Sequence, residues 1–388
     1  MAGALFTTLG LTAVVLAVLY QVYLSPFLAV LGVFRTPQTF GLDSSTCKRI
    51  PELQACEKIV LHQPTGLLYL ACSDLNSRLQ WSPAVDLFHT SRESNDDYVA
   101  TYDPVTSKIS RLNLSNFKKE ISVHGMDVVP SEANADELYV YMVNHRSPPA
   151  GQDPKVVGAD SVIEIFKTKV GSDQLTHITT VSHPIIMTPN DVAGQADGKS
   201  FFVTNDHSSK VGFTRVLDMF RSTTTVGYCH VDQGCKVAAS KLLTSNGIAR
   251  ALNDTLYVAS GLGGKVTVFE KQADNTLLLT DVIPIGQALD NLSLDSNGHL
   301  WVAAFPKAFD IIEQITKNTS HPSPVAAFRV SVNTGPNSFY GEKYKVEKVF
   351  EDSGTIVSGS TSVAYDAERK LLFMSGTSFM AFAGVASR

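Results

Sequence analysis

The sequence predicts an all-β protein, a six-bladed β-propeller behind an N-terminal hydrophobic helix. Three observations lead there. First, a turn-bounded apolar strand recurs six times, at Leu68–Cys72, Leu138–Val143, Phe201–Thr204, Leu256–Ser260, Leu300–Phe305 and Leu371–Ser375. Strand starts lie 44 to 71 residues apart, and a repeat of that order with several short strands per unit is the pattern of propeller blades. Second, tight-turn signals bound the strands: Pro64-Thr65-Gly66, Asp197-Gly198, Asn253-Asp254, Asn297-Gly298 and Asp366-Ala367-Glu368. Asn-Gly and Asp-Gly supply the positive φ angles that hairpin turns need. Third, 26 glycines and only 18% charged residues suit an all-β chain better than a helical bundle.

Residues 1–34 read as a signal-anchor or transmembrane helix. No side chain between Ala2 and Phe34 is charged, and a bilayer core needs roughly 20 apolar residues in a helix. Pro26 is expected to end that helix near Ser25. A cleaved signal peptide is the competing reading, but it usually opens with a basic region, and none is present here. Residues 35–55 form a linker with Pro37, Gly41 and Pro51, and residues 56–388 form the propeller. Within it, Val162–Phe166 and Val266–Phe269 are further strands by alternation and β-branching. Pro83–Ser94 lacks clean strand alternation. Val211–Ser222 places Val216, Leu217, Met219 and Phe220 at helical spacing, which fits a short surface helix or a packed core segment.

The net charge of -5 and the lack of a Lys/Arg stripe argue against a nucleic-acid partner. Of the five cysteines, Cys229 and Cys235 bracket a five-residue hairpin loop that a disulfide would clip. Cys56 and Cys72 flank the first strand closely enough for a second bridge. Glycosylation triplets begin at Asn113, Asn253, Asn291 and Asn318. Cysteines and triplets together place the body in the secretory lumen or outside the cell. Arg35, Lys48 and Arg49, just past the helix, argue for the cytosol by the positive-inside rule.

A polar residue precedes each recurring strand by ten to fourteen positions: Glu57, His124, Asn190, Asn246, Asp290 with Asn291, and Ser360. In a propeller a shared phase means a shared radial position, so these side chains are expected to converge on the axis. Four of the positions offer carboxylate or amide oxygens, the donors a hard cation such as calcium takes. Each dipeptide alone is an everyday turn pair, so the repetition carries the argument.

Several segments match a known family. Val123-His124-Gly125, Val143-Asn144-His145, Ile163–Phe166 and Thr188–Val192 are among them, with Thr204–His207, Ser245–Ile248, Asp290–Val302 and Gly359–Thr361. In order and spacing over about residues 45–380 the chain resembles the serum paraoxonase/arylesterase family of six-bladed, calcium-dependent lactonases and aryl esterases. The resemblance implies a catalytic Ca2+ on Glu57, Asn190, Asn246, Asp290 and Asn291. It places the family's histidine pair on His124 and His145, where a histidine-activated water attacks a polarised lactone or ester carbonyl. It also implies a small-molecule lactone or aryl ester as substrate and membrane association through the N-terminal helix.

Two departures mark a divergent member. The family's second, structural calcium uses an acid directly after the glutamate, a main-chain carbonyl and the aspartate of Asn-Asp. Those positions are Lys58, Met126 and Asp191. The Lys58 ammonium is expected to pair with Asp191 and stand in that ion's place, leaving one ion; an outward-facing Lys58 is the alternative. No cysteine follows Cys235, so the family's disulfide between the two chain ends has no counterpart. Phe213, Phe220, Phe305, Phe309 and Phe379 line an apolar substrate mouth or else belong to the core. Two further readings compete with the hydrolase: a non-catalytic membrane-bound scaffold, and a specialised-metabolism enzyme of the gluconolactonase or strictosidine-synthase-like superfamily.

Overall fold

The computed structural model describes residues 2–39, 47–89, 97–376 and 385–386. Its body is an all-β propeller. Five sheets of four or five strands follow one another along the chain, then comes a three-stranded sheet, Ser362–Asp366, Leu371–Ser375 and Val385–Ala386. The recurring apolar strand is the second strand of its sheet in every case, pairing antiparallel with the strand before it. Both faces of such a strand are covered by neighbouring blades, which is why Phe201, Phe202 and Val203 run without alternation and are all buried.

The innermost strands are Lys58–His62, Val123–Pro130, Pro189–Gly194, Ser245–Arg250, Ala288–Leu294 and Ser362–Asp366. Each packs beside the next, and the last packs beside the first, so they surround a common axis. A short strand from the first unit, Asn113–Ser115, runs parallel to the outer strand Gln174–Val181 of the second sheet and laces the two together.

The expected helix break at Pro26 does not occur. Ala2–Leu19 is α-helical, Tyr20–Leu24 is a π-helical turn, and Ser25–Leu31 continues as an α-helix with Pro26 in its first turn. Proline is tolerated there because the first-turn N–H groups lack an intrahelical partner anyway, and the wider turn before it absorbs the lost hydrogen bond. Leu9–Leu31 is apolar enough and, at about 34 Å, long enough to cross a bilayer. Its large side chains from Leu9 to Leu24 are exposed, while Leu31 is buried against Ala288, Phe305, Ala308 and Ile311. Arg35 pins this end to the body, donating from Nη1 to Pro306 O and from Nη2 to Gly286 O, both at 2.9 Å.

Phe305 is therefore core. Phe213, Phe220 and Phe309 are exposed, and Phe220 meets Phe27 of the helix at 5.3 Å between ring centroids. Phe379 lies outside the described residues. Phe213–Leu217 is the expected short surface helix. Both anticipated disulfides form, Cys56–Cys72 and Cys229–Cys235, and Cys47 lies outside them.

Candidate metal centre on the propeller axis

The side chains singled out by their phase reach the axis through one repeated backbone irregularity. The inner strand shifts register between Val123 and Met126, Pro189 and Val192, Ser245 and Ile248, and Leu289 and Leu292. The residues skipped are His124-Gly125, Asn190-Asp191, Asn246-Gly247 and Asp290-Asn291. A bulge frees two residues from the ladder and re-aims their side chains. Two of the glycines are there because neighbouring strands come too close for a side chain. A Cβ on Gly125 would lie 2.3 Å from Asn190 O, and one on Gly247 would lie 2.6 Å from Asn291 Cα.

Glu57 enters from the end of the first inner strand. Its N–H donates to Ala71 O at 2.9 Å, and its carbonyl accepts from Thr361 Oγ1 at 2.8 Å and Asn291 Nδ2 at 3.2 Å. The carboxylate is buried: Oε1 accepts from Asn291 Nδ2, and Oε2 has no partner. Asn190 Oδ1 and Asn246 Oδ1 are likewise buried without a hydrogen bond. Burial, and Glu57 close by, push the Asp290 carboxyl well above the usual range, with a hydrogen bond from Asn246 opposing. Burial also raises Glu57, against the pull of Lys58, Asn291 and Arg78. The result is two buried acids raised by burial even though Lys58 pulls on both and Arg78 on Glu57, and three buried oxygens with nothing to accept from. Among the described residues no group of three or more His, Cys, Asp or Glu could hold a metal, so an ion here needs the amide oxygens. Such a set, all oxygen and part carboxylate, fits a hard divalent cation.

One residue along the chain the chemistry reverses. Lys58 points inward, so the outward alternative is excluded. Its Nζ donates to Asp191 Oδ2 at 2.6 Å, Asn291 Oδ1 at 3.2 Å and Leu292 O at 3.2 Å. An ammonium has three protons, and all three are used. Asp191 Oδ2 also accepts from Ile248 N at 2.9 Å, while its Oδ1 is without a hydrogen bond. Asn291, expected as an ion ligand, is placed between the two levels, with its amide N–H toward Glu57 and its oxygen toward Lys58.

Ser360 departs from the expected convergence. Its hydroxyl closes on Ser375 O at 2.9 Å, and the last sheet reaches the site through Thr361 instead.

His124 and His145 come together, with ring centroids 5.3 Å apart. Asn190 Nδ2 donates to His124 Nε2 at 3.3 Å, and His145 Nδ1 lies 2.9 Å from Ser161 Oγ. Burial, reinforced by the Arg78 charge, lowers His124 to about 3, and burial also holds His145 far below its ordinary value. Both rings are therefore neutral at physiological pH. Arg78 was not anticipated; the one signal is a lone charge in the otherwise uncharged stretch Leu75–Trp81.

A bulged inner strand that repeats around one axis and carries acids and amides defines a propeller with an oxygen-lined axial site. The arylesterase family profile matches residues 63–383, and the chain belongs to that family. It is 27% identical to serum paraoxonase/arylesterase 1 of Rattus norvegicus over 363 residues, 92% of this chain and 93% of that one. It is 26% identical to serum paraoxonase/arylesterase 2 of Bos taurus, over 86% of each chain. Among solved structures, a putative gluconolactonase aligns with a TM-score of 0.48 at 12% identity, covering 88% of this chain and 92% of its own.

Proposed function

We propose that this protein is a calcium-dependent hydrolase of lactones and aryl esters on a six-bladed propeller. The observation that carries the reading is the set of buried, partnerless oxygens on Glu57, Asn190 and Asn246 beside the strained acid Asp290. Glu57, Asn190, Asn246 and Asp290 would hold one ion, and Asn291, expected among the ligands, would instead steady Glu57 with its N–H while its oxygen accepts from Lys58. Bound there, calcium supplies Lewis-acid polarisation of a carbonyl and stabilises the developing oxyanion.

The chain's own residues do the rest. His124 and His145 orient the attacking water, and His145 Nε2, which has no hydrogen-bond partner, is the ring nitrogen free to accept its proton. Asn190 ties the two functions together, presenting its oxygen to the axis and its N–H to His124. Lys58 fills the level below, so the body takes one ion. The three-stranded last sheet is the sixth blade. Leu9–Leu31 anchors the body to a membrane, a small-molecule ester or lactone enters at that end, and no nucleic acid is involved. The disulfides support a body in the secretory lumen or outside the cell, where the exposed Asn113, Asn253 and Asn318 would accept glycans; Asn291 is fully buried and would not.

The test uses the full chain in detergent, assayed on aliphatic and aromatic lactones and aryl esters with calcium and with chelator, beside Asp290→Ala. Turnover that falls at least ~100-fold in both the chelated and the mutant sample is expected. A folded, calcium-loaded protein that turns over nothing, or activity indifferent to calcium, overturns the reading.

A further inference from the structure

Arg78 lies in a short helix, Leu75–Gln80, whose start is capped by Asp74 Oδ1 accepting from Asn76 N and Ser77 N. It is 5% exposed. Nη1 donates to Val123 O at 2.7 Å, which locks the guanidinium beside His124. Nε and Nη2 are buried and have no partner. Those two N–H groups are the parallel, side-on edge of the guanidinium, the edge that grips a planar two-oxygen anion.

The space beside it fits that partner. A cavity of about 30 Å³ is lined by Arg78 and His124 with Leu75, Leu79, Val85 and Ile315. A water needs roughly 10–15 Å³, so the cavity has room for a small polar group. A carboxylate presents two coplanar oxygens that match the two parallel N–H groups. The walls are mostly apolar, which strengthens a charge-assisted pair and makes an unpaired guanidinium expensive. Arg78 forms no ion pair with a carboxylate of the described residues; Glu57 and the two histidines feel its charge from a distance.

We propose that Arg78 anchors a carboxylate carried by the substrate, remote from the bond that is cleaved. The proposal rests on the hydrolase reading and narrows its substrate class to acidic esters and lactones. Arg78 is then a specificity residue, set beside the histidine pair so that the anchored acid fixes how the compound lies across the axis.

The experiment compares release of acetate from 4-acetoxybenzoate and from its methyl ester, in which the remote carboxylate is masked; comparing the acid-to-neutral ratio between variants cancels their intrinsic difference in reactivity. The full calcium-loaded chain is assayed on both, as wild type, Arg78→Lys and Arg78→Gln, and benzoate binding is measured by calorimetry with and without calcium. The acid is expected to have the higher kcat/KM. The acid-to-neutral ratio and the benzoate affinity are expected to fall about tenfold in Arg78→Lys, which loses the fork, and about 100-fold in Arg78→Gln, which loses the charge. Lysine retains a donor for Val123 O, so it decides the question if the glutamine variant fails to fold. Hydrolysis of both esters with an unchanged ratio overturns the proposal and leaves the hydrolase reading standing. Arg78-dependent benzoate binding without any ester turnover sinks the hydrolase reading and leaves the anion site standing.

Discussion

Glu57 and Lys58 are neighbours in the chain and face the same axis, yet the two levels they define have opposite electrostatics. At the level of Glu57 and Asp290, buried acids sit with raised proton affinity and oxygens that accept from nothing. At the level of Lys58 and Asp191, the chain brings its own cation, and every proton on it is used. A propeller axis tolerates buried acids in one of two ways. Either a side chain neutralises them permanently, or they are left as a site for an ion from outside. A tethered ammonium does not dissociate from the chain, so it is always present; an ion site stabilises only when ion is present, by an amount that grows with the logarithm of its concentration.

The comparison breaks most sharply at Lys58. Lys58→Ala leaves Asp191 buried without its partner, and a loss of about 3–5 kcal/mol in urea unfolding is expected. Lys58→Asp converts the second level to the chemistry of the first. Calcium bound per chain, measured by equilibrium dialysis, is expected to rise from one to two, with a stability that now depends strongly on chelator. A stoichiometry that stays at one would show that Lys58 does not stand in an ion's place.

The Cys56–Cys72 bridge comes next, because it braces the turn that presents Glu57 and Lys58 together. Its 16-residue separation makes removal by Cys56→Ala with Cys72→Ala worth about 3 kcal/mol, against about 2 kcal/mol for the six-residue Cys229–Cys235 loop. Losing the first bridge should also weaken calcium binding, and losing the second should not; equal effects on calcium would detach the bridge from the site.

The last effect concerns the ion itself. Calcium at 100 times its dissociation constant should stabilise the wild type by about 2.7 kcal/mol. The same addition to Asp290→Ala should produce no shift in the thermal midpoint. Without calcium that variant should unfold no earlier than wild type, since it lacks an acid that burial already strains.

Much of the site was legible because a repeat protein writes its geometry as phase. Asn190, Asn246 and Asp290 stand ten or eleven residues before their strands, and all three lie in the inner-strand bulges. The pairing of Lys58 with Asp191 followed from a cation standing where an acid was expected in a buried setting, since such a charge must find a partner. The reading of Ser360 went wrong for a related reason. Phase sets the radius of a residue, but a hydroxyl close to backbone carbonyls, here those of Ser362 and Ser375, bonds to them first. Pro26 misled because a proline ends a helix only where no wider turn precedes it.

What the sequence by itself determined is everything that depends on local pattern and recurrence: the strands, the turns, the apolar helix, the two short disulfides and the set of oxygens facing inward. What only the tertiary structure decided is which of those groups meet. The bulge that turns both Asp290 and Asn291 from the ladder has no motif of its own, because it arises where two strands press together across Gly247. Arg78 is invisible in the chain for the same reason. Its importance lies in two N–H groups left without a partner, and a missing partner exists only once every neighbour is in place.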